Sequence, residues 1–411
     1  MFNEGKKILF LGAAAFQVPP IEYALSKGYQ AITCDNVASN PGHRLAHKSF
    51  NVSTVDAEAV LQLAVSERID GILTFGSDVS AASVAYVGEK LGLSAPTPQT
   101  VSVLTNKSKF RHFLQESNLQ YLPHETFSEL DKDQAFDYVS LRERPIVVKP
   151  VDASGSKGVS VAREMRQLSS ALEYAFKESR SKTVIVEDFV SKSGSQICGD
   201  GFMLRGRLAF IDFGDGHFYD DDDFMAPFAE SFPAAHPEPT LQKTRQLIER
   251  ILQSAGFFSG PFNFDALIKE DGVPFVIELG PRSGGNYIPT ALSLKNEIDL
   301  VGAAVELCLD PDYCVPETRP RNESYYACYM LHSRVPGTLK GITFSPELKE
   351  QIVAFHPYLK VGDPVLRFNQ ASHAIGNLVL KFSSPEQMRL AIARFSDLHS
   401  IALEPAYAPS I

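Results

Sequence analysis

Two carboxylates inside apolar segments are the first residues of this 411-residue chain that suggest chemistry. Asp265 lies in the apolar run 262–267 and Glu278 in the run 275–279, and an Asp-Gly turn between the runs predicts a β-hairpin. Pairing of the two strands would bring the carboxylates side by side in a buried sheet, which is costly unless a cation neutralises them. Oxygen ligands close to phosphate favour Mg²⁺. The alternative is that arginines hold the two carboxylates, and Arg282 is available for this.

An arginine beside a glycine turn follows the second carboxylate. Arg282 lies in the segment 281–286, which reads Pro-Arg-Ser-Gly-Gly-Asn. A guanidinium in such a turn suits an anion, such as a carboxylate or a phosphoryl group in transfer. Taken alone, the segment is also compatible with an ordinary turn.

A lysine followed by a glycine-containing loop predicts a phosphate site. Lys149 lies near the end of the predicted strand 145–150, from which its ammonium can reach a phosphate. The loop glycines leave backbone N–H groups free to surround phosphate oxygens. The Walker A pattern is absent, so a flexible surface loop beside an exposed lysine stays open as the alternative. The loop consists of Ser154, Gly155, Ser156, Lys157 and Gly158.

Alternating strands and helices in the first 105 residues predict a parallel sheet. Such βαβ units place ligands at the carboxyl ends of the strands, where Gly12, Asp35 and Gly76 lie. A nicotinamide-binding fold is disfavoured because the first turn lacks the second and third glycines of G-x-G-x-x-G. The predicted strands are 7–11, 30–35 and 71–75, and the predicted helices are 19–26, 57–67 and 78–91.

Two further blocks follow a turn-rich segment at 94–98. The third block, from about residue 320, shows no catalytic cluster, and a structural cap is its simplest interpretation. In the second block we predict helices 107–116 and 241–255, strands 145–150 and 183–188, a strand pair within 201–213, and the hairpin strands 262–268 and 273–279. In the third block we predict strands 325–332 and 375–382 and a helix 385–395, capped by Ser383 or Ser384.

Composition excludes several classes of protein. The net charge is −10 and argues against a general nucleic-acid surface. Five cysteines without CxxC spacing fit reduced thiols better than disulfides or a zinc site. No apolar run is long enough to cross a membrane. The apolar run 8–16 after Lys6 and Lys7 resembles a signal peptide, but a first buried strand fits it better, so we expect a cytoplasmic protein without membrane contact.

Three motifs, taken in order, resemble the ATP-grasp superfamily. They are the Lys-Pro strand end with its glycine loop, the segment 186–190 (Val-Glu-Asp-Phe-Val), and the segment 277–282 (Ile-Glu-Leu-Gly-Pro-Arg). Within that superfamily the chain is most similar to the carboxylate-amine ligases and to the branch of biotin carboxylase and carbamoyl-phosphate synthetase. The resemblance covers the whole chain.

The resemblance implies an α/β protein with a three-domain ATP-grasp architecture. Residues 1–105 would form an N-terminal parallel α/β domain that precedes the ATP-grasp fold. Residues 106–318 would form the ATP-grasp domain, with a mobile lid subdomain at about 120–192. Residues 319–411 would form a small C-terminal α+β module. A homodimer through the first block also stays open.

The resemblance also implies roles for individual residues, with ATP and Mg²⁺ as cofactors. Arg282 and Lys149 would act on the phosphoryl group or the acyl phosphate. Asp265 and Glu278 would hold Mg²⁺. The positions that would contact ATP are Lys107, Lys149, Ser154, Gly155, Ser156, Lys157, Gly158, Glu187, Asp188, Val190 and Gln196.

Four positions depart from the family pattern. Gln196 replaces a glutamate near the ribose, and Ser154 and Ser156 replace glycines of the lid loop. Gly280 replaces a metal-binding asparagine, which leaves a second Mg²⁺ site open. Asn286 is a candidate to compensate for that loss.

The implied function is an ATP-dependent ligase of small molecules. It would activate a carboxylate, for example that of an amino acid, as an acyl phosphate and couple it to an amine, releasing ADP and phosphate. One alternative is a bicarbonate- or formate-activating enzyme similar to those of the purine pathway. Another is a regulatory ATP-binding protein without activity, which Gly280 keeps open. The acidic segment 220–223 is either a solvated loop or a contact for an amine or metal, and we expect His332 to be structural.

Overall fold

The computed structural model describes residues 5–143, 145–219, 225–315 and 324–405. The first elements form a four-stranded parallel sheet in the order β3-β2-β1-β4, as the alternating pattern predicts. The buried aliphatic strand β1 lies at its centre, with Ile8 beside Ala31 and Gly71. These elements are β1 (Lys7–Leu11), α1 (Val18–Ser26), β2 (Gln30–Cys34), α2 (Gly42–Leu45), β3 (Lys48–Phe50), α3 (Ala57–Glu67), β4 (Gly71–Leu73) and α4 (Asp78–Leu91).

Two helices lead into a second, antiparallel sheet with the strand order β5-β8-β6-β7. We call it the lid sheet, because it lies within the range 120–192 in which the sequence predicts a lid. Helices α7 and α8 cover it with a separate apolar core. The elements are α5 (Pro98–Thr105), α6 (Lys107–Glu116), β5 (His124–Ser128), α7 (Lys132–Ser140), β6 (Ile146–Pro150), β7 (Ser160–Ala162), α8 (Leu168–Glu178) and β8 (Thr183–Asp188).

The largest sheet has eight antiparallel strands in the order β13-β12-β9-β10-β11-β14-β18-β16. The predicted hairpin forms its first edge, and Asp265 lies directly opposite Glu278. The elements that follow the lid sheet are β9 (Gln196–Leu204), β10 (Arg207–His217), β11 (Ala229–Phe232), α9 (Glu238–Ser254), β12 (Gly260–Ile268), β13 (Pro274–Gly280), α10 (Ile288–Asn296) and α11 (Leu300–Leu309).

The C-terminal block continues this large sheet. Strand β11 pairs with β14 from Ala229–Tyr329 to Phe232–Tyr326, so both edges of β11 are covered and its backbone groups are paired. Strands β15, β17 and β19 form a separate three-stranded sheet. The elements are β14 (Tyr325–Leu331), β15 (Gly337–Phe344), α12 (Pro346–Gln351), β16 (Ile352–Pro357), β17 (Pro364–Val365), β18 (Gly376–Phe382), α13 (Pro385–Ala393), α14 (Phe395–Leu398) and β19 (His399–Pro405).

The structure refines several of the predicted elements and confirms one of the predicted caps. The turn-rich segment at 94–98 leads directly into α5, because Thr97 caps the helix by accepting a hydrogen bond from the Thr100 N–H. The strand pair expected within 201–213 extends to Gln196 and His217. Ser384, one of the two predicted caps, caps α13. No helix in the described ranges is long and apolar enough to span a membrane.

Candidate functional site

Two cavities of about 1250 and 1370 Å³ meet at a common wall. The first cavity lies between the lid sheet and the large sheet. The second lies between the large sheet and the N-terminal sheet, where Gly12, Asp35 and Gly76 line it. The wall between them includes the glycine loop, Gly216 and both hairpin carboxylates. A group that is transferred between ligands in the two cavities would therefore pass beside these carboxylates.

The hairpin holds the two carboxylates at this wall. Burial, followed by the charge of Glu278, raises the pKa of Asp265 to about 7. The Gln196 side chain donates a hydrogen bond of 2.9 Å to Asp265 Oδ1, which favours the charged form. Gln196 thus contacts the predicted metal ligand, whereas its expected position was near a ribose. Glu278 is more open, with 45% of its side chain exposed.

The carboxylate pair fits a divalent cation. Both donors are oxygens, and a cation would stabilise the charged form of the half-buried Asp265, whose pKa is raised. Among the described residues, no group of three or more His, Cys, Asp or Glu side chains could hold a metal. Asp265 and Glu278 would hold Mg²⁺ only with further ligands, and Mg²⁺ commonly takes these from substrate phosphates and water.

Lys107 is the first residue of α6 and contacts both the residue before the glycine loop and the hairpin. Its Nζ donates a hydrogen bond of 2.6 Å to the Ala153 carbonyl and lies 4.0 Å from Glu278 Oε2. The loop then turns through left-handed backbone conformations at Gly155, Ser156 and Gly158. A Cβ on Gly158 would lie 2.6 Å from the Pro150 ring, so only glycine fits there.

Lys149 and Glu187 form a buried ion pair that a third residue completes. The ammonium of Lys149 contacts Glu187 Oε1, and Arg111 Nε donates a hydrogen bond of 3.0 Å to Glu187 Oε2. Burial alone would raise the pKa of Glu187, but the charges of Arg111 and Lys149 outweigh it and lower the pKa to about 2. Burial lowers the pKa of Lys149. All three side chains line the first cavity, so the Glu187 carboxylate holds two cations at its wall.

The other residues predicted to contact ATP also line the first cavity, except Gly158, which lines neither of the two cavities. Val190 packs against an apolar group that includes Leu267 and Phe275. Asp188 forms an ion pair of 3.2 Å with Arg142. The predicted residues that line this cavity are Lys107, Lys149, Ser154, Gly155, Ser156, Lys157, Glu187, Asp188, Val190, Gln196, Asp265 and Glu278.

Arg282 lies in the second cavity and is paired with an acid from the N-terminal sheet. Its guanidinium donates a hydrogen bond of 2.8 Å to Asp78 Oδ2, at the beginning of α4. Asp78 also explains the glycine at position 280. A Cβ on Gly280 would lie 2.6 Å from Asp78 Oδ1 and 3.0 Å from Arg282 Cζ. The Asp78–Arg282 pair thus fills the space of a side chain at position 280.

Asn286 also lines the second cavity, as Asp265 and Glu278 do. Its amide donates a hydrogen bond of 3.0 Å to Glu230 Oε1. Asn286 and Tyr287 both have positive φ angles, of 51° and 63°, which is unusual for two successive non-glycine residues. The Tyr287 ring stacks on His356, and Asn377 donates to the Asn286 carbonyl.

Two further sequence expectations concern the neighbourhood of the first cavity. The acidic segment 220–223 lies outside the described residues. His332 is buried in an aromatic group, where Tyr219 contacts its Nε2 at 2.7 Å. Burial lowers the pKa of His332 to about 4, so this side chain is neutral at pH 7.

Sequence reasoning missed Arg111, Asp78 and Glu230. Arg111 lies four residues after Lys107, and this spacing on a predicted helix puts both side chains on one face. Asp78 follows the end of a predicted parallel strand, where ligands bind. Glu230 lies in the short strand β11, for which no element was predicted.

Comparison with known protein families relates the chain to ATP-grasp proteins. Residues 142–291 match the family profile described as ATP-grasp domain. The formate-dependent phosphoribosylglycinamide formyltransferase of Mannheimia succiniciproducens is 26% identical over 295 residues, which cover 70% of this chain and 72% of that protein. An uncharacterized protein, y4rH, of Sinorhizobium fredii is 24% identical over 378 residues, which cover 85% of this chain and 74% of that protein.

Known structures show the same fold over nearly the whole chain. L-amino acid ligase from Bacillus licheniformis superimposes with a TM-score of 0.83 at 19% identity, covering 98% of this chain and all of that one. Phosphoribosylglycinamide synthetase from Anaerococcus prevotii superimposes with a TM-score of 0.75 at 19% identity, covering 97% and 100%. The mixed α/β fold class and the resemblance to the ATP-grasp superfamily are confirmed.

Proposed function

Because residues 142–291 carry an ATP-grasp domain, we propose that this protein is an ATP-dependent ligase that forms a carbon–nitrogen bond. It binds ATP in the first cavity and a carboxylate in the second. It transfers the γ-phosphoryl group to the carboxylate, and an amine then displaces phosphate from the acyl phosphate. The proteins that the chain resembles, an L-amino acid ligase and formate-dependent formyltransferases, support this reaction class.

One observation carries the proposal: Asp265 and Glu278 lie where the two cavities meet. Phosphoryl transfer requires donor and acceptor to be aligned and the charge on the transferred group to be neutralised. A bound Mg²⁺ would supply that neutralisation. The glycine loop covers the same wall and can exclude the water that would hydrolyse an acyl phosphate.

The cationic side chains of the site line different cavities, and we assign them to different ligands. Lys107 and Lys149 line the first cavity, and we assign them to the phosphate oxygens of ATP. Arg282 lies in the second cavity, and we assign it to the carboxylate and to the acyl phosphate that forms from it. Its bond to Asp78 fixes the guanidinium before a substrate arrives.

The first experiment measures phosphate release from ATP and Mg²⁺. The panel contains amino acids, other small carboxylates including formate, and bicarbonate, each with and without amines. We expect release that requires one carboxylate and one amine, with the coupled product identified by its mass. If ATP is bound but no combination stimulates release, the ligase proposal fails and the regulatory alternative is favoured.

A formate-activating reaction is the second candidate, because formate-dependent phosphoribosylglycinamide formyltransferases are among the relatives. The same panel distinguishes this candidate when phosphoribosylglycinamide is one of the amines. Release that depends on formate with phosphoribosylglycinamide, and not with free amino acids, would favour this candidate.

We also propose that the first block mediates a homodimer. Light scattering after size-exclusion chromatography tests this proposal, and a monomer at all concentrations would contradict it.

A further inference from the structure

Glu230 is a deeply buried acid that the steps described above do not use. It lies on β11, is 3% exposed and lines the second cavity. Its Oε1 accepts the hydrogen bond from Asn286, whereas its Oε2 is buried without a hydrogen-bond partner among the described residues. Such a group is costly to bury, so its position calls for a ligand that satisfies it.

The strand register places Glu230 two strands away from Gln196, the residue that contacts Asp265. Glu230 pairs with Gly216 of β10, and Gly216 pairs with Gln196 of β9, whose amide binds Asp265. Two strand spacings of about 4.8 Å separate Glu230 from Gln196. The residue between them is Gly216, which lines both cavities, and the Phe218 ring lies 3.1 Å from the position that a Cβ of Gly216 would take.

The segment that holds Glu230 is under backbone strain. Asn286 donates to Glu230 from one of the two successive left-handed residues, and the neighbouring Tyr287 hydroxyl donates a hydrogen bond of 2.8 Å to the Ala15 carbonyl. Strained residues of this kind persist where surrounding contacts hold them, often at functional sites. This strain orients the Asn286 amide, which fixes one Glu230 oxygen and leaves the other for a ligand.

Building on the proposed ligase function, we propose that Glu230 accepts a proton from the attacking amine. An amine enters the second cavity as its ammonium form and transfers one proton to the Glu230 carboxylate. The neutral nitrogen then attacks the acyl carbon. The new carbon–nitrogen bond forms as the carbon–oxygen bond to phosphate breaks. Phosphate leaves with that electron pair and takes up the second proton that the nitrogen loses as it becomes an amide.

The electrostatic surroundings agree with this role. Burial, then the charges of Asp265 and Asp200, raise the pKa of Glu230 to about 8, although the Asn286 hydrogen bond lowers it. A carboxylate with this pKa is a stronger base than an ordinary glutamate. The groups that interact with it electrostatically from the surrounding elements are Cys198 and Asp200 on β9, Asp265 on β12, Asn286 before α10, Cys328 on β14 and Tyr358 after β16.

The test compares two nucleophiles in Glu230→Gln, a variant that keeps an oxygen for the Asn286 hydrogen bond. Hydroxylamine is largely unprotonated at pH 7 and traps an acyl phosphate without needing a proton acceptor. With the carboxylate found in the phosphate-release panel, we expect hydroxamate formation to stay within about twofold of the wild type. Coupling to the amine should fall about 10²-fold or more. Glu306→Gln is the control, because Glu306 binds Tyr23 and Tyr29 away from both cavities, and it should change neither reaction.

The pH profile provides a second measurement. In the wild type, amine coupling should slow as the pH falls below about 8, because Glu230 becomes protonated. In Glu230→Gln the rate should instead follow the fraction of unprotonated amine, with no inflection near pH 8. Equal losses with both nucleophiles, or no loss with either, would overturn the inference while the ligase function stands. If the wild type forms no hydroxamate from any carboxylate, the proposed function itself fails, and the role of Glu230 fails with it.

Discussion

At the scale of single residues, the site is a set of buried charges that compensate one another in part. Glu187 is neutralised by two cations, whereas Asp265 and Glu230 are buried with raised pKa values. Burying uncompensated carboxylates reduces the stability of the empty protein. The arrangement therefore favours binding of cationic partners, which are Mg²⁺ at the hairpin and, in our proposal, an ammonium group at Glu230.

Asp265→Asn should slow turnover strongly and stabilise the protein. Without the carboxylate, Mg²⁺ loses a ligand, and we expect phosphate release to fall about 10²-fold or more. The amide also removes a buried charge, so the melting temperature without Mg²⁺ should rise. Phosphate release and thermal unfolding at pH 8 measure the two effects.

The matched control for that substitution is Asp271→Asn, since Asp271 lies in the turn of the same hairpin and pairs with the exposed Lys269. It should change neither property. Full turnover in Asp265→Asn would exclude Asp265 as a metal ligand.

At the scale of elements, the contact between β13 and α4 explains why position 280 is a glycine. Gly280→Ala places a Cβ against Asp78 Oδ1 and should displace the Asp78–Arg282 pair. A shift of the guanidinium by about 1 Å can cost up to about 10²-fold in rate, and we expect at least a tenfold loss of kcat. Steady-state kinetics measure it.

Two further variants complete the test of Gly280. In the double variant with Asp78→Ala, the clash is removed, so the two losses should not be additive. Gly341→Ala is the control, because no atom lies within 4 Å of its Cβ position. Additive losses would show that Asp78 and Gly280 act independently.

The lid sheet is tied to α6 by the bond between Arg111 and Glu187. Arg111→Met leaves the buried Glu187 with one cation, and we expect the free energy of unfolding to fall by about 3 kcal/mol. Because the pKa of Glu187 is lowered, this stabilisation is present above pH 4.5 and is lost as the pH falls towards 2. Urea unfolding at pH 7 and pH 3 measures both effects.

Arg142→Met is the matched control for Arg111→Met. Arg142 pairs with Asp188, the residue after Glu187, but both side chains are about one-third exposed. We expect a loss of about 1 kcal/mol or less. Equal losses in the two variants would contradict a special role for the buried pair.

At the scale of the whole molecule, three sheets surround the two cavities, and the glycine loop belongs to the wall that the cavities share. A non-hydrolysable ATP analogue with Mg²⁺ should slow hydrogen exchange in residues 152–158. It should leave β15, in the separate three-stranded sheet, unchanged. Hydrogen exchange read by mass spectrometry checks this, and an unchanged loop would argue against a lid that closes over the nucleotide.

The sequence determined those features that depend on local pattern. The parallel N-terminal strands follow from their alternation with helices, and the pairing of Asp265 with Glu278 follows from two apolar runs joined by a tight turn. The bounds of α3, α4 and α6 also agree with the prediction. Short-range hydrogen bonding and hydrophobic periodicity set these elements, so one sequence suffices to find them.

The tertiary structure alone decided which distant residues meet. Asp78 and Arg282 are brought together by the packing of α4 against the end of β13, and Glu230 enters the second cavity because β11 lies between β10 and β14. The pairing of β11 with β14, which continues the large sheet into the C-terminal block, likewise depends on tertiary packing. Contacts between elements far apart in the chain depend on how whole faces pack, and neither spacing nor periodicity encodes that geometry.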